Sequence, residues 1–209
     1  MKGEKLNVVN ETKLLGTILT SDLKWNRNTQ HIVKSANGKM RMLHIASKFV
    51  KNKQDLLQIY KSFIRSRLEF SCVVWNSSLT KENEHDIERV QKAAVKLILK
   101  EAYKDYESGL KMLNIESLVD RRNRLCLKFA KQCLKNENFK KLFPLKKQNH
   151  KMEKRKSEKF IIKKMHTERY LKSAIPDMKR LLNKEECKII NMFNVTRENC
   201  FYNPISVKI

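Results

Sequence analysis

Apolar side chains recur at intervals of three and four through most of this chain, and that spacing predicts helix. From about Asn28, Ile32, Ala36, Met40, Leu43 and Ala46 form one apolar face. Gly38, inside "NGK", weakens that helix by about 1 kcal/mol relative to alanine. A second helix is predicted from about Gln54 to Trp75, with Leu57, Tyr60, Phe63, Ile64 and Leu68 inward. Its end, "SCVVW", is apolar all round and is expected to be buried. "NSSLT" interrupts the pattern and offers Thr80 as the N-cap of a third helix, with Glu82 and Glu84 favourable in its first turn. Ile87, Val90, Ala94, Leu97 and Ile98 mark the inner face of that helix, and Lys92 and Lys96 lie on its other face. After a loop and short helix in "EAYKDYESGLKMLNI", a fourth long helix is expected from Ile115 to Lys135. Leu118, Leu125, Phe129 and Cys133 should face in, with Arg121, Arg122, Arg124 and Lys128 mostly outward.

The two ends depart from this pattern. Residues 12–19, "TKLLGTIL", are rich in β-formers without clean alternation. They suggest one mostly buried strand, with Gly16 marking a bulge or a close backbone approach. Near Phe139 the composition shifts: residues 140–164 hold eleven Lys+Arg against two Glu. Such a segment is too charged to pack well and is expected to be extended or disordered when free. Beyond it, "TERYLKSAIPDMKRLLNKEECKIINMF" predicts one more short amphipathic helix, with Pro176 suited to its first turn. No repeat of fixed period is present. The expected fold is therefore mainly α: a β segment over 1–24, a helical domain over 25–136, and a basic, partly disordered extension with a short helix over 137–209.

Charge changes the picture most. Across 209 residues, 46 Lys+Arg against 22 Asp+Glu give a net charge of +24. That excess concentrates polyanions, so nucleic acid is the expected partner, ahead of an acidic membrane. With 41% hydrophobic residues the chain can bury a core, while four Gly and three Pro are too few for a turn-rich sandwich or barrel. The five cysteines include no CxxC pair; Cys126 and Cys133, seven apart on the helical pattern, are expected to face the core. Loose spacing and an odd count fit reduced thiols in the nucleus or cytoplasm rather than a secreted protein. No apolar run resembles a signal peptide or approaches 18 uninterrupted residues, so no membrane span is expected.

Candidate catalytic chemistry is thin. Polymerases clamp two metal ions between close carboxylates, but Asp22, Asp55, Asp86, Asp105, Asp120 and Asp177 are scattered. There is no GxxxxGK[ST] loop, no GxSxG elbow, no HExxH and no His/Cys set with zinc spacing. Catalytic residues, metal sites and cofactors are all expected to be absent, and this chain is not expected to act as an enzyme by itself.

Four stretches in order carry a resemblance: "KLLGTILTSDLKW", "KSANGKMRMLHIASK", "YKSFIRSRLEFSCVVWNSSLT" and "DIERVQKAAVKLIL". Together they resemble the C-terminal part of reverse transcriptases of non-LTR (LINE-type, jockey-like) retrotransposons. In that family a strand and a following Trp close the palm, and a helical thumb comes next. The resemblance implies that Leu15-Gly16, with Lys13 beside it, supports the primer terminus and that Trp25 anchors the palm-to-thumb junction. It places Tyr60, Arg65, Arg67, Leu68, Glu69 and Trp75 on the thumb's second helix. Glu88, Val90, Gln91, Lys92, Ala93 and Lys96 fall on its third, and Leu118, Arg121 and Arg122 on the next. "TERYLKSAIPDMKRLLN" resembles the closing segment of such polyproteins through Arg169, Ser173, Ala174, Ile175, Pro176, Leu181 and Leu182.

The resemblance spans about residues 8–183, without the fingers, the aspartate-bearing palm or a Cys/His knuckle. Its implied role is that of a truncated reverse transcriptase: a palm-edge β remnant, a helical thumb-like bundle and a basic tail. Such a fragment would hold template-primer nucleic acid (DNA, RNA or hybrid duplex) without sequence preference, together with the palm and fingers region that it lacks. The candidate nucleic-acid-binding residues are Lys13, Gly16, Arg65, Arg67, Lys92, Lys96, Arg121, Arg122 and, in the basic run, Lys154, Arg155 and Lys156. Tyr60, Phe63 and Trp75 sit on the apolar stripe and read as core rather than as base-stacking platforms. The rival readings are a helical protein-interaction module and a gene fragment without function.

Overall fold

Leu15 and Gly16 turn the chain back on itself. Both adopt positive φ, 47° and 86°, as a two-residue type I′ hairpin loop requires. "TKLLGTIL" is therefore not one buried strand. It is an antiparallel hairpin of β1 (Glu11–Leu14) and β2 (Thr17–Thr20), with Glu11 opposite Thr20 and Leu14 opposite Thr17. The turn is hidden in the sequence because Leu-Gly lacks the usual Asn or Asp at the first left-handed position. All of β1 is exposed, whereas β2 buries Thr17 and packs Leu19 on the core. Gly16 does serve a close approach: a Cβ there would lie 3.0 Å from the Phe70 ring. The hairpin is tied down by the Ile18 N–H, which donates to Asn28 Oδ1 at 3.1 Å, and by an Arg27–Glu11 ion pair of 2.9 Å.

The computed structural model describes residues 8–145, 159–163 and 167–185, and the chain divides after Cys126 into two compact units. In the first unit, α1 (Asn26–Phe49) buries Ile32, Ala36 and Leu43, the stripe its periodicity predicts. Gly38 has open space around it and does not interrupt the helix. Asn52 caps α2 (Lys53–Ile59) by accepting from the Gln54 N–H. The helix then widens into a π-helical stretch, Tyr60–Arg65, before α3 (Ser66–Glu69). In a wider i→i+5 turn, Ile64 rather than Phe63 follows Tyr60 on the inner face. Phe63, expected inside, is accordingly 50% exposed.

Ser71, at a φ of 52°, ends this run and starts α4 (Cys72–Trp75), which a 3-10 turn, Asn76–Ser78, follows. "SCVVW" is thus buried on one side only: Cys72 and Trp75 point in and Val74 points out. Thr80 caps α5 (Lys81–Leu99) by accepting from the Asn83 N–H at 3.2 Å, as the sequence predicts. Asp105 caps α6 (Tyr106–Leu113) in the same way through Ser108. Gly109 lets α6 lie on α5, since a Cβ there would sit 2.7 Å from Val95 Cγ1. α7 (Leu118–Lys135) starts in this unit and runs into the second. The core of the first unit is built on Leu43, Tyr60, Ile64, Trp75, Ile87 and Leu118, all fully buried. The fold is mainly α-helical with one small N-terminal two-stranded sheet.

The second unit contains the rest of α7, then α8 (Glu137–Lys140), α9 (Glu168–Leu171) and α10 over residues 174–185. On the part of α7 in this unit Ala130 and Cys133 are buried, continuing the helical spacing of Leu118, Arg122 and Cys126. Phe129 lies beside that stripe and is 42% exposed rather than facing in. Phe143 and Phe160 meet edge-to-face, 6.5 Å between centroids, an arrangement that aromatic quadrupoles favour. Asn183 brackets the Phe160 backbone, accepting from its N–H at 2.9 Å and donating to its carbonyl at 3.1 Å. Both phenylalanines belong to the 140–164 segment, whose two ends therefore pack despite their charge. The stretch between them, with Lys154, Arg155 and Lys156, lies outside the described residues. Pro176 sits in the first turn of α10, whose Met178 and Leu182 are buried.

Candidate nucleic-acid interface

Tyr60, Glu88 and Gln91, three of the residues that the resemblance singles out, converge inside the first unit instead of lining its surface. The Tyr60 hydroxyl donates to Gln91 Oε1, and Gln91 Nε2 donates to the Tyr106 hydroxyl and the Glu116 carbonyl, both at 2.9 Å. Tyr106 in turn donates to Glu88. The Glu88 carboxylate also accepts from the Leu118 N–H with both oxygens at 3.1 Å, which places a negative charge at the start of α7. Burial pushes the Tyr60 and Tyr106 hydroxyls well above the usual tyrosine range, and Glu88 adds to the effect on Tyr106. The network fastens the π-helical stretch, α5, α6 and α7 to one another.

A second cluster joins α3 to α7. Glu69 accepts from Arg121 and pairs with Arg65 at 3.5 Å. The Arg65 side chain is only 15% exposed, and burial lowers its pKa. Arg122, expected to face out, is fully buried. Its Nε donates to Asn76 Oδ1 at 2.8 Å, Asn76 donates to Asn123, and the guanidinium lies 5.9 Å from the centre of the Trp75 ring. The physical reason is the helical register. Arg122 shares the inner stripe with Leu118 and Cys126, and its long stem carries the charge to polar and aromatic partners.

The candidate binding residues therefore separate. Lys13, Arg67, Lys92 and Lys96 are exposed. Gly16 holds the hairpin turn, Arg65 and Arg121 share Glu69, and Arg122 is interior. On α5, Lys92 and Lys96 continue a stripe that includes Arg89; Arg89 pairs with Asp86 at 3.2 Å, while neither lysine pairs with an acid among the described residues. A further stripe escaped the sequence reading: Lys34, Arg41 and Lys48 on α1 are exposed and seven residues apart. Seven residues are nearly two helical turns, so these cations share one side of α1. That spacing was the available signal.

Among the described residues no group of three or more His, Cys, Asp or Glu could hold a metal ion. No helix among them is long and apolar enough to cross a membrane. A cleft of about 350 Å³ opens beside the ends of α1 and α5, with Leu56 and Ile98 in its wall and Lys51, Lys53 and Lys100 around them. Lys100 is committed to the Ser47 carbonyl at 2.8 Å. Comparison of the chain with protein-family models, with curated proteins and with solved structures gives no match.

Proposed function

We propose that the chain is a thumb-like part of a reverse transcriptase and holds a nucleic-acid duplex by its phosphates without reading sequence. The observation that carries this reading is the exposed, acid-free pair Lys92 and Lys96 on a chain of net charge +24. Cations on one helix face suit a phosphate backbone, which positions a protein without specifying a base sequence. The α1 stripe of Lys34, Arg41 and Lys48 supplies a second row. The buried network around Gln91 holds α5, which presents the first of these rows. No catalytic step is assigned to the chain.

A salt titration of duplex binding by fluorescence anisotropy tests this. Log K should fall linearly with log[salt], with a slope of about −0.9 per phosphate neutralised on duplex DNA. Lys92→Gln with Lys96→Gln should flatten the slope while leaving sequence preference unchanged. Binding that is insensitive to salt, or absent in a folded chain, would rule the reading out. One observation favours a different class of partner: Met42, Ile45 and Phe49 form an exposed apolar row on α1, as a helical protein-interaction module would.

A further inference from the structure

Cys72 opens α4 and Cys126 lies on α7; both are reduced and only 3% exposed. Asn76, just after α4, bonds to Arg122 and Asn123 on α7, so the two elements lie against each other, and the Cys126 thiol acts on Cys72 as a hydrogen-bond donor. One helical turn before Cys126 stands Arg122, whose charge acts on Cys72. Its Nε is bonded to Asn76, but Nη1 and Nη2 are buried without a hydrogen-bond partner. Glu84, Glu88 and Glu69 act on this cation, yet none is bonded to it. A buried charge lacking a bonded counter-charge is costly, and a thiolate at Cys72 would supply one.

We propose that Cys72 and Cys126 are a peroxide-oxidisable dithiol whose disulfide ties α4 to α7, with Arg122 as the positioning cation beside Cys72. The hydrogen bond from Cys126 and the charge of Arg122 both favour the Cys72 thiolate, whereas burial and Glu69 oppose it. The same guanidinium repels a divalent cation, which argues for a disulfide rather than a metal bridge. Access is through α4, a four-residue helix that starts at a left-handed Ser71 and ends in a 3-10 turn. An element this short opens more readily than the long helices around it.

The oxidation balances with one peroxide. The Cys72 thiolate attacks one peroxide oxygen, the O–O bond breaks, and hydroxide leaves, taking a proton to become water. The resulting sulfenic acid is then attacked by the Cys126 sulfur; the S–O bond breaks, and the Cys126 proton leaves with the oxygen as a second water. Two thiols lose two electrons, and the sulfurs close to about 2.05 Å.

The test uses the full chain carrying Cys133→Ser, Cys187→Ser and Cys200→Ser. It is exposed to hydrogen peroxide, quenched with N-ethylmaleimide under denaturing conditions and mapped by mass spectrometry. The Cys72 and Cys126 peptides should leave the alkylated pool together, appear as one linked peptide within a single chain, and be restored by dithiothreitol. Arg122→Leu should move the pH–rate profile upward and slow oxidation at neutral pH severalfold, through loss of thiolate at Cys72. Arg122→Lys should restore the rate. Circular dichroism reports folding, and if Arg122→Leu does not fold, the mapping and the Arg122→Lys rate decide. Thiols that remain alkylated, overoxidation of Cys72 without a linked peptide, or links only between molecules would overturn the dithiol. A folded Arg122→Leu chain with an unchanged profile, or an Arg122→Lys chain that has lost the reaction, would overturn the role of Arg122.

Discussion

The Tyr60 hydroxyl meets Gln91 Oε1 at 2.5 Å, joining two side chains that are 0% and 1% exposed and 31 residues apart in sequence. Gln91 spends its amide nitrogen on Tyr106 and the Glu116 carbonyl. One glutamine thus satisfies groups from three other parts of the first unit, in a setting where an unpaired polar atom is expensive.

Gln91→Leu should therefore cost about 2–4 kcal/mol, since it strands the Tyr60 hydroxyl and the Glu116 carbonyl. Tyr60→Phe alone should cost about 1–2 kcal/mol, because only the Gln91 oxygen loses its donor. The double variant should be less destabilised than the sum, by an interaction energy of about 1 kcal/mol. Urea unfolding followed by circular dichroism measures all three. Strict additivity would mean that the two side chains do not depend on each other.

The same network sets a response to alkali. Tyr60 and Tyr106 are held protonated in the fold above the ordinary value of 10.0, chiefly by burial. Below that value both folded and unfolded chains keep these protons, and the contribution to stability is full. As pH rises beyond it, the unfolded chain releases protons that the folded chain retains, so stability falls. Unfolding free energy measured between pH 8 and pH 11 should decline at the upper end, and Tyr106→Phe should decline less steeply. An identical alkaline slope in the variant would remove Tyr106 from the effect.

Helices were legible wherever burial alone decided their residues. The stripes of α1 and α5 and the Thr80 cap follow directly from spacing and from a hydroxyl placed before an acidic turn. Legibility failed where geometry or long side chains intervened. No local signal distinguishes a π-helical stretch from an α-helix, so α-helical spacing puts Phe63 on the wrong side. Arg122 reads as surface because arginine usually is; its burial needs Trp75 and Asn76, which lie far away in sequence. The exposed lysines of the candidate interface were legible, but the Glu69 that engages Arg65 and Arg121 becomes their partner only in three dimensions.

The hairpin offers a prediction in the stabilising direction. Leu15 occupies a left-handed position at φ 47° and is 89% exposed, so its side chain costs strain without gaining burial. Asn accepts that conformation readily, and Asn-Gly is the favoured type I′ pair. Leu15→Asn should stabilise the hairpin by about 0.5–1 kcal/mol, read as slower hydrogen exchange of the β1–β2 amides. Gly16→Ala should do the reverse by about 1 kcal/mol or more, through its φ of 86° and the Phe70 ring 3.0 Å from the new methyl. Equal exchange rates in both variants would contradict the turn assignment.

The charge stripes allow the binding proposal to be divided by location. Lys34, Arg41 and Lys48 are exposed and lie off the apolar stripe of α1, so replacing all three with Gln should leave stability within about 0.5 kcal/mol. If they contact phosphates, the slope of log K against log[salt] should lose about 0.9 for each contact removed. Arg65 and Arg121 differ because both are engaged with Glu69 and partly buried. Glu69→Gln should free their charge and lower stability without flattening the slope, since no cation is removed. Arg122→Lys, inside the core, should leave the slope unaltered. The expected order is therefore a flatter slope from the α1 and α5 variants, and a changed melting temperature from the Glu69 variant. A folded α1 triple variant with the parent slope would confine the duplex to other faces. A steeper slope in Glu69→Gln alone would shift the interface to the Arg65–Arg121 cluster.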